Sequence, residues 1–213
     1  MSVVVYTSIY GAYDPLRAHP DHAGVDRWVC FTDDPAVACP GWDVVVEPAR
    51  HRHPRMAAKW HKTHPPADAD VSLWVDGSLS FTAEFVDVLV ESLERGDLGL
   101  WRHPSRSSIV DEAHVSARMR KYHGLPVVEQ AEHYIAAGHD DHDLWAGTVL
   151  ARRHTPQIAE LGEAWWAECV AWTYQDQISL PPLLARAQIA PAELPASLWD
   201  NPWITINPHR SRR

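Results

Sequence analysis

Asp76 is the residue on which the chemistry of this sequence converges. It follows an apolar run, Val71, Leu73, Trp74 and Val75 with Ser72 among them, and precedes Gly77 and Ser78. Such β-branched and aromatic density predicts a buried strand. Gly77, with no Cβ, lets the backbone turn sharply or approach a ligand. A carboxylate where a buried strand gives way to a loop is placed to hold a divalent cation, which can hold a diphosphate. The same residues also suit a plain turn in which Asp76 caps Ser78 or the next helix. Arg55, Lys59 and Lys62 recur at intervals of four and three, which puts three cations on one helix face. That face could meet phosphate or solvent. Gln175, Asp176 and Gln177 form a polar set between apolar neighbours. Buried polar groups need partners, and either a substrate or a structural network could supply them.

The elements that must position these residues follow from periodicity. Strands are expected at residues 3–6, 28–32, 42–46, 71–75, 98–102 and 144–153. Helices are expected at 54–64, 82–95, 108–123, 127–137 and from Pro156 to about residue 172, with Ser108 and Asp111 as a capping box and Thr155 as an N-cap. Gly96 and Gly138 are expected to stop two of them. After the first strand, a loop carrying Thr7, Tyr10, Gly11 and Tyr13 suits a nucleotide, but it lacks the GxGxxG of a dinucleotide fold. Asp33, after the second strand, is placed to bond a ribose hydroxyl or a base N–H, or to form an ordinary turn. His103 to Arg106 forms a second polar cluster at a strand end. The His139–Asp143 run (HDDHD) has metal-ligand residue types, but adjacent residues seldom converge on one ion, and it reads as a polar loop. Residues 190–213 form a Pro- and Trp-rich tail.

Composition sets the bounds. The 213 residues are 46% hydrophobic and 22% charged, ordinary for a globular protein. A net charge of −9, with no basic run except Arg210, Arg212 and Arg213, argues against general nucleic-acid binding and requires a local basic pocket for any anionic ligand. Three cysteines at unrelated spacings point to reduced thiols in a cytoplasmic protein. Neither a signal peptide nor a membrane-spanning run is expected. Most of the 11 tryptophans fall at core positions. Without repeats or linkers, residues 1–213 read as a single domain.

Seven segments in order carry a family resemblance: residues 6–14 (YTSIYGAYD), 29–34 (VCFTDD), 55–62 (RMAAKWHK), 73–78 (LWVDGS), 101–108 (WRHPSRSS) with Glu112, 144–154 (LWAGTVLARRH) and 174–180 (YQDQISL). Together they resemble the glycosyltransferase-like domain of bacterial proteins and plant mucilage-related proteins, and more distantly the retaining glycosyltransferases of the GT-A fold. The resemblance implies an α/β, Rossmann-like GT-A domain with a mixed, mostly parallel central sheet flanked by helices. Its tail, about residues 190–213, would close over the donor site. It implies transfer of a sugar, with retention, from a nucleotide-diphospho-sugar, a UDP-sugar first, to an unidentified acceptor. Thr7, Tyr13, Asp33, Arg55, Lys59, Lys62, Asp76, Gly77 and Ser78 would bind the donor nucleotide. Asp76 and His209 would hold Mn2+ or Mg2+, although the second carboxylate of the usual acidic motif is missing. His103, Arg106, Glu112, Trp145 and Gly147 would bind sugar or acceptor, with Ala146-Gly147 as a small-residue turn. Asp176 and Gln177 would be catalytic. On that reading Asp176→Asn stops transfer at unchanged stability, whereas a purely structural Asp176 would lower it. Two other functions compete: a metal-dependent amide or lipid hydrolase, since a plant relative is described as a ceramidase, and a nucleotide-sugar-binding module without catalysis.

Overall fold

The computed structural model describes residues 1–209; the basic end, Arg210, Arg212 and Arg213, lies outside the described residues. Its frame is a seven-stranded sheet in the order β3-β2-β1-β4-β7-β6-β8. β1 (Val3–Ile9), β2 (Arg27–Thr32), β3 (Asp43–Val46) and β4 (Val71–Val75) are mutually parallel. β7 (Trp145–Arg153) runs antiparallel to β4 on one side and to β6 (Leu98–Arg102) on the other, and β8 (Ala192–Glu193) adds a parallel edge. This is the expected mixed, mostly parallel α/β sheet. β1 and β4 are buried on both faces, which explains why apolar residues dominate them. Along β1, Val4 and Tyr6 pack into one core and Val3 and Val5 into the other, as the two-residue period of a strand requires.

One face of the sheet is covered by α1 (Pro54–Thr63), α3 (Ile109–Ala117), α4 (Val127–Ala136), α5 (Pro156–Ala171) and α6 (Asp176–Ala187). The other is covered by α2 (Ala83–Ser92) and the C-terminal segment. That segment contributes β9 (Ile204–Ile206), which pairs antiparallel with β5 (Leu79–Phe81).

Several expectations are corrected. β1 runs three residues further than residue 6, because Thr7 and Ser8 are buried ladder residues rather than loop; the Ser8 hydroxyl donates to the Ala58 carbonyl at 3.2 Å. α2 stops at Ser92, short of Gly96, and the side chain of its N-cap, Thr82, accepts no backbone hydrogen bond. α3 ends at Ala117, and Arg120–Tyr122 forms a separate 3-10 turn. Ser108 does cap α3, accepting from the Asp111 N–H, and Asp141 adds a second acceptor for the Ile109 N–H at 2.6 Å. The acidic loop around Asp141 thus satisfies donors that a helix start leaves orphaned. α6 was not expected, because Pro181 and Pro182 lie inside it. Ala146-Gly147 is strand, not turn.

Gly162 sets the approach of α5 to the end of α1. A Cβ at this position would lie 2.3 Å from the Thr63 carbonyl oxygen, a backbone atom that cannot yield by a rotamer change. Gly162→Ala gains about 1 kcal/mol of helix propensity, but relieving the overlap costs about 1–3 kcal/mol. The expected outcome is a net loss of stability in urea unfolding; equal or greater stability would show that the helices can separate freely.

Candidate functional site

The parallel strands β1, β2 and β4 end at one edge of the sheet, where open α/β sheets form their ligand crevice. A cleft of about 340 Å³ lies there. Its floor is made by Asp76, Gly77 and Ser78 after β4, by Ala146, Gly147 and Thr148 of β7, and by Asp176 and Gln177 at the start of α6. The Asp76 N–H donates to the Thr148 carbonyl at 3.0 Å, so the β4 end and β7 remain zipped past the strand. The Asp76 side chain accepts the Trp74 indole N–H at 2.9 Å through Oδ1. Gly77 serves close approach: an added Cβ would lie 3.2 Å from Ile9 Cγ1.

The strongest electrostatic feature is a buried triad. Lys59 and Lys62 of α1 both donate to Asp176 Oδ2, at 2.7 and 2.5 Å. Lys62 is 1% exposed and Asp176 3%. Burial alone would raise the Asp176 carboxyl, but the two ammonium groups outweigh it and hold it at about 2. Lys59 is raised, because its attraction to Asp176 and Asp76 exceeds its desolvation. Lys62 is lowered, first by burial and then by the neighbouring Lys59 charge, which its attraction to Asp176 does not offset. One carboxylate therefore faces two cations, Lys62 buried and Lys59 partly buried with 18% of its side chain exposed, and compensates them incompletely. Gly147 opposite leaves room for Lys62, since a Cβ there would lie 2.7 Å from Lys62 Nζ.

The remaining walls come from distant regions of the chain. Arg55 donates to the Tyr13 hydroxyl at 2.6 Å and stacks over the Tyr13 ring at 4.8 Å. His209 bonds Asp14 through Nδ1 at 2.9 Å and packs on Tyr13 at 4.7 Å. Asn207 ties the same tail to the Ser78 carbonyl through its main-chain N–H at 2.8 Å. Trp199 and His103 reach the mouth, with ring centroids 6.4 Å apart.

Of the residues singled out from sequence, Tyr13, Arg55, Lys59, Lys62, Asp76, Gly77, Ser78, His103, Gly147, Asp176, Gln177 and His209 line this cleft. Five do not. Thr7 is buried behind it, beside Val75 and Leu79. Asp33 accepts the Gly11 N–H at 2.9 Å and so holds the β1 loop from outside. Glu112 binds Arg106 at 2.6 Å and accepts the Gln175 amide at 2.6 Å, so this pair braces the residue preceding Asp176. Trp145 is buried beneath the Arg102 guanidinium, 4.6 Å from its ring centroid. Ser8, Asp14, Lys121, Tyr122 and Tyr174 line the cleft and were not assigned from sequence. For Asp14 the available signal was its place at the end of the loop after β1.

The donor set for a metal is open rather than enclosing. Among the described residues no three His, Cys, Asp or Glu side chains converge to hold an ion. Asp76 and His209 line the cleft together, and with Nδ1 bonded to Asp14 the other ring nitrogen of His209, Nε2, is the one left to bind an ion. Carboxylate oxygen with imidazole suits Mg2+ or Mn2+ only when ligand phosphate and water complete the shell.

The triad predicts a specific acid sensitivity. With its carboxyl lowered from 3.8 to about 2, Asp176 contributes roughly 2.5 kcal/mol above about pH 4, lost as pH falls towards 2. Asp176→Asn strands the buried Lys62 ammonium group and removes the partner of the partly buried Lys59, at a cost of about 3–5 kcal/mol. Urea unfolding of both proteins from pH 7 to pH 2.5 should show a lower stability at neutral pH for the variant and a shallower acid limb. Superimposable acid limbs would remove the triad from the stability of the fold.

The matched family accounts for most of this architecture. The model of the TOD1/MUCI70 glycosyltransferase-like domain matches residues 44–198, from β3 to the Leu198 wall of the cleft, and includes the triad and Asp76. The chain matches no curated protein. No helix among the described residues is long and apolar enough to cross a membrane. With well over half its length matched, the chain belongs to the TOD1/MUCI70 glycosyltransferase-like domain family.

Proposed function

We propose that the chain is a glycosyltransferase that takes a sugar from a nucleotide-diphospho-sugar, a UDP-sugar first, and passes it with retention to an acceptor. The observation that carries this reading is the shared oxygen of the triad. Lys59 and Lys62 both engage Oδ2 of Asp176, so neither takes Oδ1. The arrangement offers cations to a departing diphosphate and a carboxylate oxygen to the sugar in the same cleft.

In this reading the diphosphate lies between Asp76 and the α1 face, with Arg55 and Lys59 bonding its oxygens. Negative charge grows on the leaving phosphate as the glycosidic bond breaks. Ammonium and guanidinium groups fixed in a partly buried cleft stabilise that charge without having to reorganise. Asp76 and His209 would hold a divalent ion, which would supply further charge neutralisation at the same leaving group. Asp176 Oδ1 would bond donor hydroxyls and stabilise positive charge near the anomeric carbon, as carboxylates do for oxocarbenium-like states. Gln177 would orient the sugar or the acceptor. The leaving phosphate would take the acceptor proton on the same face. His103 and Gly147 would border the sugar, and residues 190–209 would wall the donor in from the C-terminal side of a single domain.

Calorimetric titration with UDP and a panel of UDP-sugars, with and without Mn2+, tests the reading. Binding that strengthens with Mn2+ is expected, and Asp76→Ala should lose the Mn2+ dependence. Arg55→Ala and Lys59→Ala should each weaken UDP by about 10- to 100-fold, the equivalent of about 1.5–3 kcal/mol for a charge-assisted contact. Absence of nucleotide binding under both conditions would sink the proposal. Binding unaffected by Asp76→Ala would sink the metal assignment alone.

A further inference from the structure

A second cavity, about 570 Å³, opens beside the main cleft and shares Tyr13, Arg55, Lys121 and Tyr174 with it. Its other walls are His53, Pro54 and Arg120. This volume lies in the range of small-ligand pockets. Its chemistry differs from that of the cleft. Three cations face it, and among the described residues no acidic side chain lines it. In a chain of net charge −9, this is a local concentration of positive charge.

Arg55 is held by neutral groups. The Arg55 guanidinium donates to the Tyr13 hydroxyl and, at 3.2 Å, to the Lys121 carbonyl, while stacking over Tyr13 and Tyr174 at 4.8 and 5.5 Å. Arg120 forms no ion pair among the described residues. The carboxylates that act on Lys121, Asp76 and Asp176, belong to the main cleft, and Arg55 and Lys59 act on it as like charges. A guanidinium satisfied by hydroxyl, carbonyl and π faces, as that of Arg55 is, keeps its charge available to an incoming anion. Flat surfaces accompany that charge: His53 stacks on Tyr174 with centroids 4.7 Å apart and planes 21° apart. The Tyr174 hydroxyl donates to the Lys121 carbonyl, which fixes the ring in the wall.

We propose that this side pocket is an acceptor subsite for a negatively charged sugar, one bearing a carboxylate or a phosphate. The ring would lie against Tyr174 and Tyr13, with the charged group between Arg55, Arg120 and Lys121. The proposal rests on the transferase reading, because the shared walls place an occupant of the side pocket next to whatever donor fills the cleft.

The test uses the full chain saturated with UDP, titrated separately with glucuronate, glucose 6-phosphate and glucose. The two charged sugars are expected to bind, more weakly at high salt, and glucose not to bind measurably. The variant Arg120→Ala changes the one cation of the three that does not line the main cleft, and it keeps the Lys121 carbonyl that Arg55 and Tyr174 use. It should weaken charged-sugar binding by roughly 10- to 100-fold and leave UDP affinity within twofold. Preference for glucuronate or for glucose 6-phosphate identifies the charged group. Charged sugars binding no better than glucose, or binding equally to the variant, would overturn the subsite. A variant that loses UDP affinity would overturn it too, because the pocket would then belong to the donor. If UDP fails to bind the unaltered protein, the transferase reading falls, and the same three sugars titrated into the ligand-free protein still decide whether the pocket selects anions.

Discussion

The site depends on a buried charge imbalance: a lone carboxylate, Asp176, set between two ammonium groups. Desolvating three charges is costly, and a single carboxylate cannot compensate two cations fully. The opposed directions of Lys59 and Lys62 express that deficit. A buried cluster with a surplus of positive charge has an obvious complement in a polyanionic ligand, and a cleft at the strand ends is where such a ligand can arrive. Much of the surrounding structure maintains this arrangement. Trp165 donates its indole N–H to the Asp176 carbonyl at 2.9 Å, and Arg152 binds the Lys62 carbonyl at 2.6 Å, so both chain segments carrying the triad are anchored from behind.

The same cluster joins stability to function. Asp176 is the first residue of α6, and the lysines lie on the last turns of α1. Their contact crosses from one helix to the other above β7, where Gly147 leaves room. Of two alternatives posed from sequence, a catalytic carboxylate at no structural cost or a structural one without chemistry, the ion pairs give Asp176 a structural role, and its place in the cleft wall leaves it available for the proposed chemistry. The carboxylate that faces the cleft is also the counter-ion that lets α1 keep two lysines inside. Further from the cleft, Glu112 has a comparable role, bracing Gln175 with one oxygen and Arg106 with the other.

Much of the frame was legible because apolar runs and two-residue alternation report burial directly. β2, β4 and β6 fall within a residue of expectation for that reason. The end of β1 was not, because Thr7 and Ser8 are polar residues buried by neighbours that the local sequence does not reveal. α6 was hidden by Pro181 and Pro182, whose cost to a helix is offset here by burial against β7 and α5. At the site, the cations of α1 were legible from their spacing on a helix. Their partner, 114 residues away from Lys62, was legible only as an unexplained polar set. The pocket formed by Arg120, Lys121 and Tyr174 had no signal of its own, since its walls meet only through tertiary packing.

The ring of residues around the cleft closes between Asp14 and His209, 195 positions apart. In the sequence, the His209 side of that contact lies beyond β9, whose partner β5 follows β4. The central sheet can therefore assemble while this wall of the site is still absent. During synthesis the cleft stays open on its C-terminal side until nearly all the described chain has left the ribosome. The fold can commit to its topology before its binding site exists, and a chain cut short after β8 would keep the triad but lose the wall beside Tyr13.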